Sequence, residues 1–92
     1  MTQQYIVGEF SVLLAGLYPA PEELLGGAVG DLRREVEFSP LSMLPPLVHE
    51  ALDLTDKICW AALERGDAAG FCRYVRTAVA LWDFGVGAGL LP

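Results

Sequence analysis

The sequence predicts an all-α fold, a small four-helix bundle, from three observations. Apolar residues recur at three- and four-residue spacing in four separate stretches. Proline and glycine pairs punctuate the chain between those stretches. The length of 92 residues leaves room for one core and no second domain, so residues 1–92 are expected to form a single helical domain.

The first helix is expected over residues 3–18, where Ile6, Phe10, Leu13, Leu14 and Leu17 form one stripe. Its other side carries Gly8, Ser11 and Ala15, with Glu9 as the only charge. A helix that is apolar or small all round is usually buried, which predicts the bundle centre or a dimer seam.

Pro19 and Pro21 then break the chain and restart it. Proline suits a first helical turn, and Glu22 and Glu23 suit the positive end of a helix dipole, so a second helix is expected over 21–37. Its stripe is Leu25, Val29, Leu32 and Val36. Gly26, Gly27 and Gly30 each cost about 1 kcal/mol relative to alanine inside a helix. They follow no strand and precede no lysine, so they read as sites of close helix packing rather than a phosphate loop.

Ser39-Pro40 and Pro45-Pro46 make a rigid connector. The third helix, 46–65, carries Leu47, Ala51, Leu54, Ile58 and Ala62 on one side, flanked by Val48, Leu52, Cys59 and Leu63. Gly66-Asp67 joins a left-handed helix terminus to an N-cap, which predicts an antiparallel hairpin between the third and fourth helices. In the fourth, 67–84, Phe71, Val75, Ala78, Val79 and Trp82 are expected to pack, leaving Arg73, Arg76 and Asp83 in solvent. Residues 85–92 are rich in glycine and read as a non-helical tail.

Composition narrows the function. Twelve acidic against six basic residues give a net charge of −6, and the basic residues are scattered, which disfavours nucleic acid. The most apolar stretch, 5–20, falls short of the ~20 residues of a membrane span, contains Glu9 and ends in Pro19. No Lys or Arg precedes it as in a signal peptide, so the chain reads as cytoplasmic. The excess of arginine over lysine, with abundant Ala, Gly, Leu and Val, points to a GC-rich bacterial genome.

A hydrophobic fraction of 53% and a mean hydropathy of +0.40 exceed what an ordinary domain needs. A 9.9 kDa chain keeps roughly 5,200 Å² exposed when folded. The surplus apolar surface is therefore assigned to an interface, and a homodimer is expected.

The chemical motifs are weak. His49-Glu50 opens a zinc-protease pattern, but Asp53 stands where its second histidine belongs. His49, Asp53 and Asp56 still share one helix side as weak metal candidates, against the common reading of a solvated face. Trp60 falls among polar neighbours, which marks either an interface anchor or a side chain folded over an adjacent element. Cys59 and Cys72 lie at nearly matched distances from the Gly66-Asp67 turn and either pair reversibly or simply pack. Ser11, Ser39 and Ser42 sit in no nucleophile elbow. Arg33, Arg34, Arg73 and Arg76 make an anion site only if the second and fourth helices are neighbours, whereas Asp31, Glu35 and Glu37 favour ordinary surface ion pairs.

The functional expectation is a non-enzymatic, homo-oligomeric protein-interaction module without cofactor. It would dimerise through the first helix, at Gly8, Ser11 and Ala15, or through the third, and present Trp60 and the acidic face to a partner. The alternative is a small-molecule or metal-binding bundle, or a minimal enzyme, with a pocket of Phe10, Tyr18, Phe71 and Trp82 and polar groups from His49 or Tyr74.

Overall fold

The computed structural model describes residues 3–91; Met1 and Thr2, and Pro92 at the end of the expected tail, lie outside the described residues. Its elements are α1 (Gln3–Ala15), α2 (Glu23–Phe38), a 3-10 turn (Leu41–Met43), α3 (Leu44–Glu64) and α4 (Ala68–Gly87). Consecutive helices are neighbours, and α1 also packs on α4, which closes the four into a ring. Direction alternates around it: Gln3, opening α1, donates from Nε2 to the carbonyl of Ser39 just past the end of α2 (3.3 Å). The fold is an all-α four-helix bundle, 40 Å along its longest axis.

The boundaries differ from those expected for local physical reasons. α1 stops at Ala15, three residues early, because Gly16 and the pre-proline Tyr18 leave the helical path. Gly16, Leu17 and Tyr18 close it with N–H bonds to the carbonyls three residues back, a 3-10 tightening. α2 starts at Glu23 rather than Pro21, since Glu22 is still extended at φ −134°, ψ 146°. α3 begins two residues early, at Leu44. Its first-turn N–H groups have no intrahelical acceptor, so Pro45 and Pro46 fit there without losing a bond.

The α3–α4 hairpin follows the predicted design. Gly66 takes φ 71°, and the N–H groups of Gly66 and Asp67 bond to the carbonyls of Leu63 and Ala62, a Schellman terminus. Asp67 then caps α4, its Oδ1 accepting from the Gly70 N–H at 2.9 Å.

A further boundary correction is at the C-terminus. α4 continues to Gly87 and ends in a second Schellman motif, with Gly89 at φ 73° and the Leu90 N–H bonded to the Gly85 carbonyl at 2.7 Å. Leu90 and Leu91 are buried, so the expected tail is a capped helix end folded back on the core. Burial of two leucines offsets the glycine penalty that the sequence pattern weighs alone.

The core joins Phe10 and Leu14 of α1, Val29, Leu32 and Val36 of α2, much of α3, and Tyr74, Leu81 and Phe84 of α4. The rings of Phe10 and Phe84 meet at 5.3 Å and 45°, a tilted aromatic pair. Thr55, buried among them, donates to the Ala51 carbonyl at 2.7 Å. α1 is a corner of the bundle rather than its centre, with Tyr5 and Val12 in solvent.

Candidate interaction surface

The core-facing side of α4 is not the one its strongest apolar stripe marks. Tyr74, Leu81, Phe84 and Gly85 face inward, whereas Val75, Val79 and Trp82 are exposed and Phe71 and Ala78 are half-buried. α4 therefore has two apolar sides, and the predicted stripe looks out. Gly85 explains the choice: Leu91 and Val48 pack directly against its backbone, which a helix side bearing large residues does not allow.

That outward stripe, continued by Val86, runs beside the exposed edge of α3. Leu52, Asp56, Cys59, Trp60 and Leu63 of α3 face Phe71, Val75, Ala78 and Val79 of α4 across a groove of about 420 Å³. Trp60 is 60% exposed and Trp82 51%. Tryptophan is strongly buried on average, so two half-exposed ones on one hairpin are a marked departure. The chain exposes 5445 Å², close to the expectation for its mass, so the surplus hydrophobicity is not hidden in an oversized core. Much of it lies on this face.

Trp60 thus lies beside apolar groove residues as well as the acidic neighbours that the sequence places around it. Its groove position is missed by a single-helix wheel, because the apolar wall opposite comes from α4. Leu63, expected to flank the core, is instead 45% exposed on the groove edge.

Other candidates separate. Gly8 and Ser11 line a depression between α1 and α2 with Gln3, Gln4, Val7, Val12 and Glu37. Ser11 is engaged there, its Oγ accepting from the Arg33 guanidinium at 3.4 Å, and Ala15 is half-buried. A wider hollow of about 800 Å³ between α2 and α3 is bordered by Leu24, Leu25, Ala28 and Leu54 with Glu23, Asp31 and Lys57. A Cβ added at Gly27 in that hollow, or at Gly8 in the other, would meet nothing within 4 Å, so both hollows are surface relief left by missing side chains.

His49, Asp53 and Asp56 are all exposed. Among the described residues no group of three or more His, Cys, Asp or Glu is placed to hold a metal ion. The expected aromatic pocket also disperses. Phe10 is fully buried, Tyr18 lies under Arg33 at 5.9 Å, Phe71 lines the groove, and Trp82 faces solvent. Tyr74 spends its hydroxyl on the Pro19 carbonyl.

Cys59 and Cys72 are both free thiols, and they point apart, Cys59 buried and Cys72 exposed. Nearly matched distance from the turn brings their heights close but does not match their angles around the two helices. Burial pushes the Cys59 thiol up, and the nearby Asp56 carboxylate adds to the effect. The four arginines likewise make no common site, because α2 and α4 occupy opposite corners of the ring. Arg34 pairs with Asp31, while Arg73 lies 4.9 Å from the Tyr74 ring and donates to its hydroxyl at 3.2 Å.

No family model, curated protein or solved structure matches the chain. No helix is long and apolar enough to cross a membrane among the described residues.

Proposed function

We propose that this chain is a non-enzymatic helical protein-interaction module that works as a homodimer, joined through the outer face of the α3–α4 hairpin. One observation carries the reading: Trp60 and Trp82 stand half-exposed on a continuous apolar face with Leu63, Val75, Val79 and Val86. Tryptophan is the residue most enriched at binding hot spots, and contiguous apolar patches are otherwise kept small on monomers. The two free thiols suit a reducing compartment, which supports placing the module in the cytoplasm. The non-enzymatic reading draws support from the lone imidazole, since His49 lines none of the depressions described above.

Sedimentation equilibrium tests it. The wild-type chain is expected to be dimeric at micromolar concentration, and Trp60→Ala and Trp82→Ala are each expected to weaken the dimer by about 30-fold, the scale of a hot-spot residue. Both residues are exposed, so circular dichroism should be unchanged. A wild-type monomer at high micromolar concentration overturns the proposal.

The groove volume also falls in the range of small-ligand sites, which favours one second reading, capture of a small apolar molecule between Trp60 and Phe71. A thermal-shift panel of apolar ligands tests that reading; silence, or a shift unaffected by Trp60→Ala, excludes it.

A further inference from the structure

We infer that the groove between α2 and α3 is a second interaction surface, on a different side of α3 from the tryptophan face, and that its occupant is a basic amphipathic helix of another protein. The inference does not rest on the dimer reading, since the two surfaces share no residue.

The groove is built by one spacing used twice. Leu24, Gly27, Ala28 and Asp31 of α2 recur at three, one and three residues, and Glu50, Asp53, Leu54 and Lys57 of α3 repeat that interval, so each helix turns one side toward it. The hollow of about 800 Å³ at Gly27 and a smaller one of about 240 Å³ share Ala28, Leu54 and Lys57, which makes them continuous. Together they run from Glu23 to Leu32, about 14 Å along α2, the length of between two and three turns of a docked helix. Leu25, Ala28 and Leu54 form the apolar floor, and Leu24 stands 82% exposed at one end. Gly27 leaves open space above the α2 backbone, where no neighbour within the chain requires a glycine.

Charge selects the occupant. Asp31 is held by Arg34, whereas Glu23, Glu50 and Asp53 are exposed and have no ion-pair partner among the described residues. Lys57 is the one cation lining either hollow. Carboxylates on both walls repel the same groove of a second copy, and they repel anionic lipid and nucleic acid. They match a helix whose apolar stripe is flanked by lysine or arginine, seated with that stripe on the floor and its cations against the walls.

Fluorescence anisotropy at physiological salt tests this with a synthetic amphipathic helix of about 18 residues, leucine on one side and lysine on the other. The wild-type chain should bind it with a Kd of about 10 μM or tighter, and the same peptide with glutamate for lysine at least about tenfold more weakly. Gly27→Leu, which fills the groove, and the double variant Glu50→Lys with Asp53→Lys should each weaken binding about tenfold. Glu9→Lys with Glu37→Lys makes the same change of net charge on other faces and should leave the Kd within about threefold. Gly27→Leu should melt no lower than the wild-type chain, because its position is exposed and open, so its lost binding is not lost fold.

Absence of binding, or groove variants no weaker than the Glu9 and Glu37 control, overturns the inference. Equal weakening by Trp60→Ala places the peptide on the α3–α4 face and overturns it too. Groove variants that disperse self-association of the chain without peptide identify the occupant as a second copy, with the same consequence. A monomeric wild-type chain that binds the peptide overturns the dimer reading and leaves this inference standing.

Discussion

The hydroxyl of Tyr74, in the first half of α4, donates its hydrogen bond to the backbone carbonyl of Pro19 in the connector between α1 and α2. The contact spans 55 residues of sequence and holds the α1–α2 connector against the helix that closes the ring. The Tyr74 ring is 2% exposed, so its phenol spans the bundle edge with an apolar body and a satisfied polar end.

Tyr74→Phe removes that bond, together with the more exposed one accepted from Arg73, and leaves the ring in place. The expected cost is about 1 kcal/mol, the net value of a part-buried hydrogen bond. Tyr74→Ala should cost about 3 to 5 kcal/mol through the cavity it opens. Urea denaturation of the three proteins checks the ordering; equal losses for both variants would mean that the hydroxyl carries the whole effect.

Gly85 is the second point at which one atom decides the packing. A Cβ there would sit 2.6 Å from Leu91 Cδ1 and 3.1 Å from Val48 Cγ1. Gly85→Ala is expected to destabilise by about 1 to 3 kcal/mol through overpacking, despite the better helix propensity of alanine. The Leu90 and Leu91 amides should lose hydrogen-exchange protection. Combining it with Leu91→Ala should cost less than the sum of the two single changes, since the clash is then relieved.

The hairpin turn has a separable stability signature. Asp67→Ala removes the bond to the Gly70 N–H and is expected to cost about 1 kcal/mol. Asp67→Asn keeps a good capping side chain and should retain most of that stability. Thermal unfolding of the pair is the measurement, and an equal loss in both would assign the effect to charge rather than capping.

The two thiols should differ in kind. In the folded protein Cys72 is expected to react readily with an aromatic disulfide reagent, and Cys59 only on unfolding. The raised Cys59 pKa also sets a pH dependence. The unfolded chain ionises this thiol first as the pH passes about 8.5. Stability present below that value is therefore lost as the pH rises through the folded-state pKa. Cys59→Ala should reduce the alkaline loss while Cys72→Ala leaves it unchanged, as followed by denaturation between neutral and alkaline pH.

Much of this molecule is local in origin and could be read from short windows. The inward stripe of α3, from Leu47 through Ala62, depends only on periodicity and is buried as expected. Gly66 with Asp67 ends one helix and starts the next because a left-handed glycine and a capping carboxylate are both defined within a few residues. The acidic balance and the excess of apolar residues were equally plain in the composition.

Only the tertiary structure decided which side of α4 is inside. Its two sides, Tyr74–Leu81–Phe84 and Val75–Val79–Trp82, both read as apolar stripes, and periodicity ranks the second higher. The choice follows from shape, because Gly85 lets Leu91 and Val48 approach the backbone, and Phe10 meets Phe84 across the ring. The same choice turns the second stripe outward beside Trp60 and creates the face on which the functional proposal rests. A helix's own sequence specifies how its side chains are spaced, whereas the volumes presented by its neighbours determine which of them are buried.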